Sequence, residues 1–339
     1  LPFSPGQHLT LRIKQQNSDS WIVRNYTVSS APSQSAYRIS VKREEYGLVS
    51  STLHSRISIG SEIQIKAPSG HFFIDNTHQR PAILIGAGVG ITPMVAMAND
   101  AVNEGIRTRY IRPMAVIQAA KNSEQRAFYA ELSNIAKRSA GHIQYYSVLS
   151  QAHSNQTQNA IVSNDYTSQG RISQNLLMDV LNAMATEHSV DFPSLFDKDF
   201  YLCGPQGFMQ SMYDLLISIG VKDQDIHAEA FGPSSLARQS TDTSNHAELE
   251  AESAVVKFAQ SGIEHSWNKG DSPLLEVAES KGLTPPYSCR NGQCGSCAVK
   301  LKNGAVTYRT KPSAHIDPPD VLLCCAVPAK DSDIVILDL

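Results

Sequence analysis

The sequence lacks an apolar run long enough to span a bilayer. Its longest, from Pro81 to Met97, is interrupted by glycines and by Pro93, and a spanning helix needs about 20 continuous residues. An excess of charge is missing as well. Lys and Arg number 29 against 32 Asp and Glu, a formal net charge of −3, which gives no sign of a nucleic-acid partner. No internal repeat, signal peptide or paired His/Asp set for acid–base catalysis is visible. Cysteine is scarce: six in 339 residues, with five of them from position 289 onward. That distribution does not suit the disulfide framework of a small secreted domain. What remains is ordinary globular composition, 41% hydrophobic and 18% charged, in a chain long enough for two or three domains.

The late cysteines are the most informative stretch. Cys289-Arg290-Asn291-Gly292-Gln293-Cys294-Gly295-Ser296-Cys297 is followed by Cys324-Cys325. Read as C-x4-C-x2-C…C, this is the ligand spacing of a plant-type [2Fe–2S] cluster, in which four thiolates hold two irons. Gly292 and Gly295 suit a tight loop that brings backbone N–H groups up to sulfur, where they offset the charge of the cluster. A structural zinc site would pair its C-x2-C with a second such knuckle, and there is only one here. Thiolate ligands without a disulfide pattern favour a reducing, cytoplasmic setting.

The first 75 or so residues read as β. Alternating runs such as Leu9–Ile13 and Tyr37–Val41 are separated by Pro5-Gly6 and Ala31-Pro32-Ser33, as expected of a small antiparallel barrel. Arg24-Asn25-Tyr26-Thr27-Val28-Ser29-Ser30 sets a cation, an aromatic ring and hydroxyls on neighbouring positions. Gly47 to His54 is a turn and a short helical run whose first N–H groups and hydroxyls offer a phosphate site. Taken alone, such stretches are more often an ordinary strand and an ordinary helix cap.

From Pro81 the pattern changes. Ala82–Ile85 is a buried parallel strand, Gly86-Ala87-Gly88-Val89-Gly90-Ile91-Thr92-Pro93 a glycine turn, and Met94 to about Asn103 a helix. Strand, glycine turn and helix make a nucleotide-binding start, although Ile91 breaks the Rossmann fingerprint. Further strands are expected near 114–119, 143–149, 199–202 and 226–231. Helices are expected near 125–136, 173–184 and 206–219. Residues 151–170 read as a loop and 233–252 as a polar linker. The last segment makes short strands around the cysteine loop.

In this order, Arg24-x-Tyr26-Thr27, Gly47-x-x-Ser50, Gly86-x-Gly88-x-x-x-Thr92-Pro93 and Cys203-Gly204-Pro205 resemble the ferredoxin-NADP reductase superfamily. The C-terminal part looks like the ferredoxin of phthalate dioxygenase reductase and its relatives. The barrel motifs and Ile226–Pro233 look more like the reductase portion of flavohaemoglobins. The resemblance implies an antiparallel flavin-binding β-barrel over 1–79, a parallel-sheet α/β nicotinamide-binding domain over 80–232, the linker, and an α+β ferredoxin domain of β-grasp type over 253–339. Arg24 would pair with flavin phosphate, Tyr26 would lie on the isoalloxazine and Thr27 would bond near N5. Val41 would join the cofactor-binding set, and Gly47, Ser50 and Ser51 would hold the diphosphate. Gly88, Gly90, Thr92 and Pro93 would line the nicotinamide nucleotide. Cys203 would stand beside the nicotinamide, with Gly204 and Pro205 shaping its turn, and Glu229 and Phe231 would close the far side of the flavin. Cys289, Cys294, Cys297 and Cys324 would hold the cluster. Cys324 is preferred to Cys325 because plant-type ferredoxins place the last cysteine four residues before a proline, the relation of Cys324 to Pro328.

The implied activity is electron transfer from NADH through FAD to the [2Fe–2S] cluster and on to an acceptor, such as an oxygenase component. FMN and NADPH are the alternatives for the two nucleotides. The strands that family barrels carry before Pro5-Gly6-Gln7 are missing, so the expectation is a trimmed fragment or the C-terminal part of a longer polypeptide. Lys121 stands where relatives often have Arg. The rival readings are an electron-feeding module of a larger redox enzyme and a flavin-free redox sensor.

Overall fold

The computed structural model describes residues 1–14, 21–45, 47–151, 167–188, 195–231, 236–238, 249–287, 289–290, 292, 294–309, 312, 314 and 316–339. These form two compact units. One comprises Leu1–His8, Tyr26–Glu44 and Phe72–Phe231; the other comprises Leu9–Asn25, Glu45–His71 and Gly232–Leu339. Among the described residues no helix is long and apolar enough to cross a membrane.

The N-terminal elements are β1 (His8–Lys14), β2 (Trp21–Thr27), α1 (Leu48–Arg56) and β3 (Gln64–Ile65). The strands form one sheet in the order β2-β1-β3, with β1 antiparallel to β3. Leu9 and Leu11, two apart on β1, are both buried, as the period of a strand requires. The expected strand at Tyr37–Val41 reduces to a single bridge between Val28 and Ile39. Side chains take over the bonding there. The Arg38 N–H donates to Ser30 Oγ at 3.1 Å, and the Arg38 guanidinium forks onto Glu131 at 2.9 and 3.0 Å.

The first unit is built on a six-stranded parallel sheet. Its strands are β4 (Ala82–Ala87), β5 (Met114–Ala120), β6 (Ile143–Leu149), β7 (Ser168–Gln169), β8 (Asp199–Gly204) and β9 (Ile226–Ala230). The helices α2 (Ile91–Thr108), α3 (Tyr129–Arg138), α4 (Gln174–His188) and α5 (Gln206–Ser218) connect them. The order is β7-β6-β5-β4-β8-β9. The chain therefore walks outward from β4 to one edge, returns to the far side of β4, and leaves a topological switch between β4 and β8. Every residue of β4 is buried, which explains its unbroken apolar run. α2 extends beyond the expected helix at both ends. α3 starts at Tyr129 rather than near Gln125, because Phe128 adopts a left-handed φ of 63°. The expected loop over 151–170 contains the short edge strand β7; its residues 152–166 lie outside the described residues.

The C-terminal elements are β10 (Ser253–Phe258), β11 (Ile263–Asn268), α6 (Leu274–Ser280), β12 (Ala298–Asn303), β13 (Val306–Tyr308), β14 (Asp320–Leu322), β15 (Ala326–Pro328) and β16 (Ile334–Leu337). A five-stranded mixed sheet runs β11-β10-β16-β12-β14, and β13 pairs with β15. Val256, Phe258, Trp267, Leu274, Val335 and Leu337 are core residues of this part. Of the expected linker, 233–235 and 239–248 lie outside the described residues. Its last residues are already part of the ferredoxin-like core. Ala251 is buried and donates its N–H to Pro328 O at 3.0 Å, and Glu250 bridges to Ala329.

Candidate functional site

In the first unit the glycine turn sits at the carboxyl end of β4, beside the switch point where open parallel sheets bind ligands. Gly88–Gly90 form one 3-10 turn, and α2 follows at once. A Cβ on Gly90 would lie 2.2 Å from Cys203 O and 2.6 Å from Gly204 N. The turn is thus pressed onto the end of β8, and only a glycine fits. Gly88 differs: its φ is +56° and nothing lies within 4 Å of a Cβ built there, so it lines open space. Thr92 is buried, and its Oγ1 donates to Val89 O at 2.8 Å. Pro93 falls in the first turn of α2, where a missing N–H costs no helix bond. Gly204 is buried, and the exposed Pro205 caps α5.

Cys203 is fully buried and pairs in register with Gly86 on one side and Glu229 on the other. Burial, and then the Glu229 carboxylate, push its thiol well above the ordinary range. It is therefore a neutral sulfur and not a nucleophile. Glu229 is itself buried, whereas Phe231, just beyond β9, is 45% exposed. Thr27 closes β2 and is buried, and its Oγ1 has no hydrogen-bond partner among the described residues. A buried hydroxyl left in this state is costly unless a ligand completes it. Tyr26 is half-buried, and Val41 lies half-buried in an extended loop.

In the second unit, Gly47 caps α1 with extended backbone. Its carbonyl accepts the Ser51 N–H at 2.8 Å and Ser50 Oγ at 3.0 Å. Ser51, with Lys14, Thr52 and Arg56, lines a cavity of about 180 Å³. Arg24 donates through Nη1 to Val23 O at 2.8 Å and through Nη2 to the Tyr287 hydroxyl at 3.1 Å. The same guanidinium lies 4.6 Å from the centre of the Tyr287 ring.

The cysteine loop leads into β12. All six cysteines carry free thiols. Four backbone N–H groups point at loop sulfurs: Cys294 to Cys289 at 3.3 Å, Cys289 and Ser296 to Cys294 at 3.4 and 3.5 Å, and Gly292 to Cys324 at 3.3 Å. Side-chain bonds join Cys289 with Cys294 and Cys297 with Cys324. Cys324 also bonds Cys325, and among the described residues no group of three or more His, Cys, Asp or Glu is placed to hold a metal ion. Cys325 is buried beside them, its Sγ directed to Leu322 O at 3.7 Å.

Two residues were not singled out in the sequence. Arg126 is buried, donates to Ser147 Oγ at 3.0 Å and stacks 3.7 Å from the centre of the Tyr129 ring. Tyr287 is the other; its position two residues before the first cluster cysteine was the available signal.

Three domain families match the chain. Residues 1–74 match the oxidoreductase FAD-binding domain, 84–214 the oxidoreductase NAD-binding domain, and 256–330 the 2Fe-2S iron-sulfur cluster binding domain. Flavohemoproteins of Bacillus subtilis and Oceanobacillus iheyensis are 32% and 34% identical over 231 and 235 residues, 68% of this chain and 52% of each relative. The chain thus spans about half the length of these curated relatives. The flavohem-like FAD/NAD binding domain of nitric oxide dioxygenase from Vibrio cholerae matches with a TM-score of 0.54 and 30% identity, covering 69% of this chain and 87% of that one. Phthalate dioxygenase reductase matches across 100% of this chain and 88% of that one, with a TM-score of 0.53 and 23% identity, a likeness of fold.

Proposed function

Since the chain belongs to the ferredoxin-NADP reductase superfamily, we propose that it carries electrons from NADH through FAD to a [2Fe–2S] cluster and on to a separate redox acceptor, such as an oxygenase component. The observation that carries this reading is one chain holding both a glycine turn packed on Cys203 and a three-cysteine loop followed by a fourth cysteine at 324.

The residues fit the groups they would hold. The orphaned Thr27 Oγ1 suits a flavin edge, and the open space beside Gly88 suits a nucleotide. Four N–H groups aimed at sulfur suit a charged cluster. When bound, a flavin would accept one hydride, and so two electrons, from a nicotinamide and pass those electrons singly to an iron–sulfur centre. The chain's own contribution is position and exclusion of water. Arg24, Gly47, Ser50 and Ser51 would hold the flavin diphosphate, Tyr26 and Thr27 would lie at its ring system, and Val41 would join the cofactor-binding set. Gly88, Gly90, Thr92, Pro93, Gly204 and Pro205 shape the nicotinamide site. Cys203 presents a neutral sulfur there, and Glu229 and Phe231 close the flavin's other face. Cys289, Cys294, Cys297 and Cys324 ligate iron. A cytoplasmic setting agrees with thiolate ligands.

An anaerobic absorbance titration with NADH and NADPH in separate cuvettes tests this. The flavin and iron–sulfur bands should both bleach with NADH; a protein whose bands respond to neither nucleotide would refute the reading. A second reading, an electron-feeding module within a larger redox polypeptide, draws on the half-length coverage of the flavohemoproteins. The length of the intact polypeptide decides between them.

A further inference from the structure

Tyr287 is the strongest feature that the proposed relay leaves unused. Two guanidinium groups approach its ring, Arg24 at 4.6 Å and Arg290 at 3.8 Å from the ring centre. Arg24 also donates to the Tyr287 hydroxyl at 3.1 Å. The two arginines come from distant parts of the sequence: Arg24 from the middle of β2, Arg290 from the cluster loop beside Cys289. Two like charges on one ring repel each other unless a counter-charge is present. Glu279 on α6 supplies it, bonding Arg290 through both carboxylate oxygens. Arg290 holds a left-handed φ of 59°, a conformation uncommon for a non-glycine residue. The array combines an aromatic ring, two cations near it and an acid fixing one of those cations. All four residues belong to the second compact unit.

We propose that Tyr287 is a positioning residue, the latch that fixes the cluster loop to the flavin-binding strand β2. The inference rests on the reading of Arg24 as a flavin-phosphate residue. A guanidinium has five N–H donors. Arg24 commits one to Val23 O and one to Tyr287, so it holds the latch with donors to spare for a phosphate. Flavin occupancy and seating of the cluster loop are then coupled through one side chain, and the coupling is reciprocal. Cation–aromatic contacts of this kind are strongest where water is excluded, and Tyr287 packs against the ferredoxin-like core.

The test uses Tyr287→Ala and Tyr287→Phe in the full chain, reduced with NADH under anaerobic rapid mixing. Flavin bleaching and cluster bleaching are followed separately, alongside iron content, the EPR signal of the reduced cluster and amide hydrogen exchange over 21–27. In Tyr287→Ala, flavin bleaching should keep its wild-type rate while cluster bleaching slows about tenfold or more, because a misplacement of about 1 Å is enough for such losses. The EPR signal and iron content should not change, and exchange over 21–27 should rise. Tyr287→Phe keeps the ring and loses the hydroxyl, so cluster bleaching should slow about threefold. Wild-type cluster bleaching together with wild-type exchange in Tyr287→Phe overturns the latch, even where Tyr287→Ala loses iron. If the wild-type flavin does not bleach with NADH, the functional reading fails instead, and the exchange measurement still tests the contact.

Discussion

At the scale of single residues, the two glycines of the nucleotide turn separate cleanly. Gly90 is required by a neighbour, and Gly88 by its own backbone angle. Gly90→Ala drives a methyl into the Cys203 carbonyl, so the turn must lift off β8. It should lose about 1–3 kcal/mol of stability and bind NADH more weakly, as read by urea unfolding and a nucleotide titration. Gly88→Ala meets no atom and should cost only the left-handed strain, about 1–2 kcal/mol. The cluster cysteines give a second contrast. Cys324→Ser should abolish the iron–sulfur absorbance, while Cys325→Ser should keep it; the reverse result reassigns the fourth ligand. Much of this scale was readable in advance. The glycine turn, Cys203-Gly204-Pro205 and the cysteine loop are local patterns, and local patterns survive in sequence. That Gly90 abuts Cys203, 113 positions away, is set by sheet order, which no single-sequence spacing carries.

At the scale of elements, the strands β4, β5 and β8 begin close to where their apolar runs begin, because a strand buried on both faces writes its limits in hydrophobicity. The misplaced starts and missing strands have polar causes. α3 begins late because Arg126 and Phe128 form a turn of their own. The Tyr37–Val41 strand dissolves because Ser29, Ser30, Arg38 and Glu131 satisfy one another. β8 carries a further polar device at its first residue. Asp199 bonds the wholly buried Arg112, and Arg80 bridges it to Asp197 and Asp225, with His227 beside it. Burial works to raise the Asp199 pKa, but His227, Arg112 and Arg80 outweigh it, so the group sits below the usual carboxylate value. Its stabilisation is complete above a pH of about 4, the unfolded pKa, and is lost as pH falls through the depressed folded value. Asp199→Ala should cost about 3–5 kcal/mol at pH 7, because Arg112 is left buried without its partner. The gap to wild type should narrow as pH falls below about 4, as read by urea midpoints. In the last domain, Glu250 clasps Arg309 through both oxygens at 2.8 Å. Glu250→Ala should destabilise that domain by about 2 kcal/mol, seen as release of iron–sulfur absorbance at lower temperature.

For the whole molecule, division of labour is the point at issue. The proposed flavin and nicotinamide residues lie before residue 232, and the cysteines proposed as cluster ligands lie after 288. Cys294→Ser should therefore remove the cluster bands and still permit full flavin reduction by NADH, measured in one anaerobic titration. Domain order was legible because each domain carries a compact motif. The end of the linker was not, because 249–252 carry two glutamates and join the core through distant partners, among them Pro328, Ala329 and Arg309. Cys203 has a consequence of a different kind. A sulfur that is both fully enclosed and held as a thiol is a poor substrate for the peroxide that forms wherever reduced cofactors meet oxygen, since sulfenic acid formation follows thiolate character and access. The nicotinamide site should thus age slowly under oxidative stress. The partly exposed Cys289 and Cys294, once stripped of iron, would be the first to record it.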